Sequence, residues 1–428
     1  MKTLPSSEKI AVFIIAVFPI FGLLVKGWVS AILFLSVLIS VIYFLKKSKL
    51  KLKTLREEIT RSRLNYLLIV IPFSLPIGIV LISSLAKGYL EWRDFDGPSR
   101  YLLSLLVFFF LVSIKQSLEE WISYTVPLMP ILTILIIDFT EKKHWALSNR
   151  LSVYFIDPLI FGSLSLAFGL ISMVFLLYQS RFSWKSIFYL ISMLSGFYLS
   201  YASESRTGWF AIPIALFILI KYKYKFNFIK TFIITLLIAM LITLGTYHFS
   251  DVIKKRTNAM FDDIKAYQWN DMNQNTSVGE RISYMRMGWY YMTLRPMTGW
   301  KNLDFLVHKD DSQVAIYASP EIRLGVKGGG FHNEYITNAV QYGIPGLLYT
   351  LFLFIGPGLF FIFHLKVEPS SKVGLAGLVL IITQSISSLS YQVLDFKFTA
   401  SLYAMMIIAF AAAAMHEKKR SYFKLGEH

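Results

Sequence analysis

Three clusters in the 428-residue sequence bring together residue types that bind an anion or move a proton. The first is Ser203-Glu204-Ser205-Arg206-Thr207-Gly208. Arg206 offers a planar, permanently charged fork suited to phosphate oxygens. On position alone, an interfacial anchor paired with Glu204 is the plainer reading. The second is Gly279-Glu280-Arg281, followed by Arg286, Trp289, Arg295-Pro296 and Gly299-Trp300. Residues 281–294 are predicted to form an amphipathic helix that Pro296 ends. Arg281 at its start would add guanidinium charge to unpaired backbone N–H groups, an anion site. A solvated helix with Trp and Tyr resting among lipid headgroups fits the pattern equally well. The third is Gly328-Gly329-Gly330-Phe331-His332-Asn333-Glu334, a flexible glycine run leading to a histidine at a helix mouth. Histidine is the usual general base for activating a hydroxyl. A lone His beside Asn is nevertheless more often a cap or a surface residue.

Other chemistries find little support. Without cysteine the chain has no disulfide, thiolate metal site or thiol nucleophile. His308 and His332 lack partners in an HExxH or paired-acid pattern. The glycine run is no nucleotide loop, since no strand precedes it and no Lys-Ser/Thr follows. Neither a metal nor a cofactor is expected, which argues against a metal-dependent transferase using nucleotide sugars.

The elements that must position these residues are membrane helices. Hydrophobic residues make up 55% of the chain, charged ones 16%, and mean hydropathy is +0.55. That composition excludes a soluble enzyme, a disordered tail and a disulfide scaffold. Apolar runs predict twelve spans, at 9–25, 28–45, 65–86, 101–114, 121–138, 158–178, 185–203, 208–220, 231–247, 336–363, 373–389 and 398–415. No small-residue cleavage site follows the first run, so it reads as a retained helix. The spans hold almost no ionisable residue at mid-depth, which argues against an ion-coupled transporter. Short loops rich in Lys, around 46–63 and 221–230, and the basic tail read as cytoplasmic. The segment 248–335 carries eleven Lys/Arg against ten Asp/Glu and reads as a single large periplasmic loop, a lid on the membrane surface. The chain thus divides into helices 1–9 over 1–247, the loop over 248–335, and helices 10–12 with the tail over 336–428. The net charge of +17 is assigned to topology and anionic membrane lipid, with no nucleic acid as partner.

Taken in order, the clusters resemble the motifs of the O-antigen ligase/polymerase superfamily. Ser205-Arg206-Thr207-Gly208 resembles its Ser-Arg-Thr/Gly element. Gly279, Arg281, Pro296 and Gly299 resemble its Gly-x-Arg…Pro…Gly element, with Met285 where the family usually has Trp. His332-Asn333 with Gly343 and Gly346 resembles its His-Asn element. Asp96-Gly97-Pro98-Ser99-Arg100-Tyr101-Leu102-Leu103 and the single large loop resemble the lipopolysaccharide ligases in particular. The resemblance implies an all-α, GT-C-like polytopic protein of the bacterial inner membrane with a periplasm-facing site. It implies transfer of polysaccharide from undecaprenyl-pyrophosphate-linked O-antigen to a sugar hydroxyl of lipid A-core. His332 would be the base, and Arg206 and Arg281 would hold the pyrophosphate. Arg286, Arg100 and Asn333 would assist binding, and Glu280 or Glu334 would orient His332. An O-antigen polymerase or protein O-oligosaccharyltransferase shares donor and motifs, and a lipid-linked glycan transporter stands further off.

Overall fold

Long apolar runs leave a chain no way to satisfy its backbone in lipid except by helix, and helix is what forms. The computed structural model describes residues 6–46, 57, 59–60, 62–88, 90–114, 116–139, 150–205, 207–249, 251–267, 269, 276–300, 303 and 312–425. Among them are α1 (Ser6–Ala16), α2 (Trp28–Lys46), α3 (Arg63–Ala86), α4 (Asp96–Ser113), α5 (Glu119–Phe139), α6 (Pro158–Leu177), α7 (Trp184–Ala202) and α8 (Ala211–Tyr224). There follow α9 (Phe228–Phe249), α10 (Asp251–Ala266), α11 (Ser277–Leu294), α12 (Pro320–Gly329), α13 (Glu334–Val367), α14 (Lys372–Ser387) and α15 (Lys397–Leu425). No β-strand occurs among the described residues. Helix covers every expected span at least in part, and among the described residues α2–α6, α13 and α15 are long and apolar enough to cross a membrane. The helices α1, α8 and α14 are shorter, α7 with its many Ser and Tyr is more polar, and α9 is an apolar helix of 22 residues. The first expected span is not one helix. The α1 segment stops at Ala16 and residues 17–27 form successive turns, because Pro19 cannot supply the next N–H and disfavours helix in the residue before it.

The main core is built around α6, most of whose residues are buried, and residues 399–416 of α15, all of them buried. The α6–α7 pair closes until backbones touch. A Cβ on Gly196 would lie 2.6 Å from Gly169 Cα, so only glycine permits this approach. Lys397 Nζ meets Asp96 Oδ2 at 2.7 Å and joins α15 to α4. A smaller, separate core forms over 284–340, where Tyr284, Met287, Tyr291, Trp300, Val314, Tyr317, Ile322, Val326 and Phe331 pack with Val340 of α13.

The α13 helix joins the two cores. At 34 residues it would run about 50 Å if straight, well past the ~30 Å hydrocarbon layer. It is broken at Gly343, with φ +72° and ψ −164°. The segment around Pro296 fills the break: Ile344 N donates to Pro296 O at 2.6 Å, and Trp300 N donates to Val340 O at 2.9 Å. Lys87, just beyond α3, donates to Trp300 O at 2.9 Å and Gln341 O at 2.6 Å. A side chain at Gly343 would meet Pro296 O at 2.5 Å and strain the backbone as well. Pro296, Gly299 and Gly343 of the second and third motifs are therefore docking residues.

Candidate functional site

His332 lies between α12 and α13, at the end of the bundle where α6 and the small core meet. Its φ of +46° places it in left-handed backbone, uncommon for a residue with a side chain. The glycine run before it is no free hinge. Gly328 and Gly329 end α12, and only Gly330 turns, with φ +59° and its N–H on Val326 O. The imidazole stacks on Tyr284 of α11, with centroids 5.2 Å apart and planes at 23°. Tyr391, from the α14–α15 connection, packs on it at 5.5 Å and 58°. Burial lowers the His332 pKa from its ordinary 6.5; Arg281 adds to this, while Glu280 and Asp157 oppose it.

Those three charged groups come from two directions. Glu280 and Arg281 sit on α11. Its first residue is Ser277, capped by Thr276, whose hydroxyl accepts from Gly279 N at 3.1 Å. This corrects the expectation that Arg281 begins the helix. The unpaired N–H groups lie a turn earlier, where Thr276 supplies a cap the periodicity did not reveal. Arg281 acts by its own charge. Its side chain is open to solvent, yet surrounding protein lowers its pKa, and nearby Arg150 lowers it further against Glu280. Glu280 accepts the Tyr284 hydroxyl at 2.8 Å. Asp157 caps α6, accepting from Leu159 N at 2.8 Å, and its charge acts on Tyr391 as well as on His332.

Arg206 lies outside the described residues, but its neighbours place the turn. Ser205 Oγ donates to Leu159 O at 2.9 Å, and Glu204, with φ +55°, meets Arg150 Nε at 3.6 Å. The 203–205 turn therefore sits on the first turn of α6, beside Asp157.

The other expected residues are engaged elsewhere. Arg286 donates to Trp269 O at 2.6 Å and lies 3.9 Å over the Tyr317 ring, ordering the small core. Arg100 is buried in α4 against Phe34 of α2, 4.5 Å from its ring centre. Asn333 caps α13 through Ile336 N at 3.1 Å and reaches Leu389 O at 3.3 Å with its amide nitrogen. Glu334 does not face His332. Fully buried, it accepts from Val393 N and, at 2.9 Å, from Leu394 N, which corrects the expectation that it orients the histidine. It holds the connection that carries Tyr391 instead. Asp157, Tyr284, Tyr391 and Arg150 were missed by the motif reading. Tyr284, one turn beyond Glu280 and Arg281 on the same helix, had a signal in its spacing; Tyr391 had none.

No group of three or more His, Asp or Glu able to hold a metal ion occurs among the described residues. The site gathers a histidine of lowered pKa, one exposed arginine and two carboxylates, with Arg150 alongside. That set can take a proton from a hydroxyl and meet negative charge beside it.

Residues 190–351 match the family model described as O-antigen ligase. The matched stretch holds all three clusters, and the resemblance drawn from their motifs stands. An uncharacterized protein of Haemophilus influenzae is 26% identical over 350 residues, covering 80% of this chain and 82% of its own. The chain is thus a multi-helix membrane protein similar to the O-antigen ligases over residues 190–351.

Proposed function

We propose that this O-antigen-ligase-type chain transfers a finished polysaccharide from undecaprenyl pyrophosphate to a sugar hydroxyl of lipid A-core, at the periplasmic face of the inner membrane. The observation that carries the reading is the meeting of His332, Arg281 and the 203–205 turn at one end of the bundle, within the family-matched stretch. A lipid tail enters between helices while its pyrophosphate stays at the interface, beside Arg281 and the 203–205 turn.

The acceptor oxygen attacks the anomeric carbon as His332 takes the hydroxyl proton on a ring nitrogen. The bond from that carbon to the pyrophosphate oxygen breaks, and its electron pair leaves with the diphosphate. Arg281, with Arg206, offsets the charge that grows there. One base opposite one leaving group gives single displacement with inversion. Asn333 serves by fixing His332 from the α13 cap, and Arg286 by holding the lid in shape.

The test is an in vitro assay with purified protein, undecaprenyl-pyrophosphate-linked glycan and rough lipopolysaccharide. A product ladder on the lipopolysaccharide, lost in His332→Ala, is expected. Lengthened donor chains over bare lipopolysaccharide would mean a polymerase and overturn the acceptor assignment. Full activity in His332→Ala would remove the histidine as base.

A further inference from the structure

The imidazole at 332 is held on two sides by tyrosines that the transfer reaction itself does not require. Tyr284 lies nearly parallel to it at 5.2 Å, and Tyr391 tilts against it at 5.5 Å. Each phenol has a carboxylate near it: Tyr284 donates to Glu280 at 2.8 Å, and the charge of Asp157 acts on Tyr391. The clamp bridges both halves of the molecule. Tyr284 belongs to the small core, whereas Tyr391 packs on the main one.

From this juxtaposition we propose that Tyr284 and Tyr391 are positioning residues that fix the ring of His332 and favour its charged form as it takes the acceptor proton. The inference rests on His332 being the base.

Stacked faces suit this task for two reasons. A π-face attracts a cation centred over it, so the ring gains contact energy as it becomes imidazolium. The tyrosines also leave the ring edge free to meet the substrate. Glu280 and Asp157 add favourable charge, Arg281 opposes it, and these with the two phenols are the titratable groups that face His332. A histidine in left-handed backbone lacks the support of a regular helix, so its orientation depends on what packs beside it.

The chain makes room for the clamp at a distance. Gly325 of α12 lies against the Tyr284 phenol, where a Cβ would collide with Oη; the next ring atom, Cζ, is at 3.4 Å, ordinary contact. Gly325→Ala should therefore push Tyr284 and the histidine with it. Removing only the phenol oxygen should relieve the clash.

The experiment compares Tyr284→Leu, Tyr284→Phe, Gly325→Ala and the Gly325→Ala/Tyr284→Phe double variant in the full-length protein. Two readouts are taken: the kcat and KM of transfer, and the NMR titration of the histidine signal that disappears in His332→Ala. Loss of ring placement costs ~100-fold when reacting atoms shift by about 1 Å. Tyr284→Leu and Gly325→Ala should lose about that much kcat, with KM little changed. Tyr284→Phe should keep most of the rate, and the double variant should return to the Tyr284→Phe level. The His332 titration should fall to lower pH in Tyr284→Leu and be restored alongside the rate in the double variant. Normal kcat in Tyr284→Leu, or a double variant as slow as Gly325→Ala, would overturn the clamp. If His332→Ala keeps its activity, the base reading fails instead, and the histidine titration still judges the clamp.

Discussion

Arg281 stands in solvent near Arg150, each with a carboxylate beside it, Glu280 and Glu204, yet surrounding protein and the second guanidinium still lower the pKa of Arg281. An arriving diphosphate would relieve that repulsion. Arg281→Lys should lower transfer ~100-fold, the scale of losing one preorganised contact to a developing charge. Single-turnover rates with saturating donor check this, and normal turnover would reduce Arg281 to an anchor. The histidine makes a separate prediction through pH. Its pKa lies below 6.5, mainly through burial, so the ring is neutral and ready as a base at pH 7. The acid limb of the rate profile should therefore fall below pH 6.5, and further below in Glu280→Gln, which removes a charge that favours imidazolium. A pH–rate series on both proteins reads the sign directly. His332 and Arg281 were legible in sequence because their types and order carry meaning. Asp157 and Tyr391 were not, because they reach the histidine through folding and from nearly opposite ends of the chain.

At the scale of elements, the break in α13 does most to fix the site. Its first part starts at the Asn333 cap and ends where Lys87 and the Pro296 segment take up the carbonyls. Lys87→Met would leave Trp300 O and Gln341 O without their donor, at a cost of about 1–3 kcal/mol if water does not replace it. Thermal unfolding in detergent should show a lower midpoint, and hydrogen exchange should rise around Gly299 and Gln341. Unchanged exchange there would mean that Lys87 holds nothing. Helix existence was readable from apolar runs almost throughout. The break was not, since Gly343 and Pro345 within an apolar run fit a continuous helix as well as an interrupted one. Thr276 likewise set the start of α11 through a single hydroxyl, a detail below the resolution of periodicity.

For the whole molecule, the absence of cysteine makes the proposed topology directly testable. Single cysteines at Trp289, exposed on α11, and at Lys372, at the start of α14, should differ in labelling by a membrane-impermeant thiol reagent applied to intact spheroplasts. Trp289→Cys should react at once and Lys372→Cys only after permeabilisation; the reverse pattern would invert the chain in the membrane. Membrane class was clear from composition alone, whereas the division of hydrophobic residues into two cores appeared only with the fold. That division has a consequence for how the protein fails. Tyr284 and Phe331 flank His332 from the small core, while Asp157 and Tyr391 belong to the bundle, so the proposed chemistry lies on a seam between two cooperative units. The smaller unit, with less buried apolar surface, should open first on heating. Transfer activity should then disappear while the helical signal of the bundle is still intact.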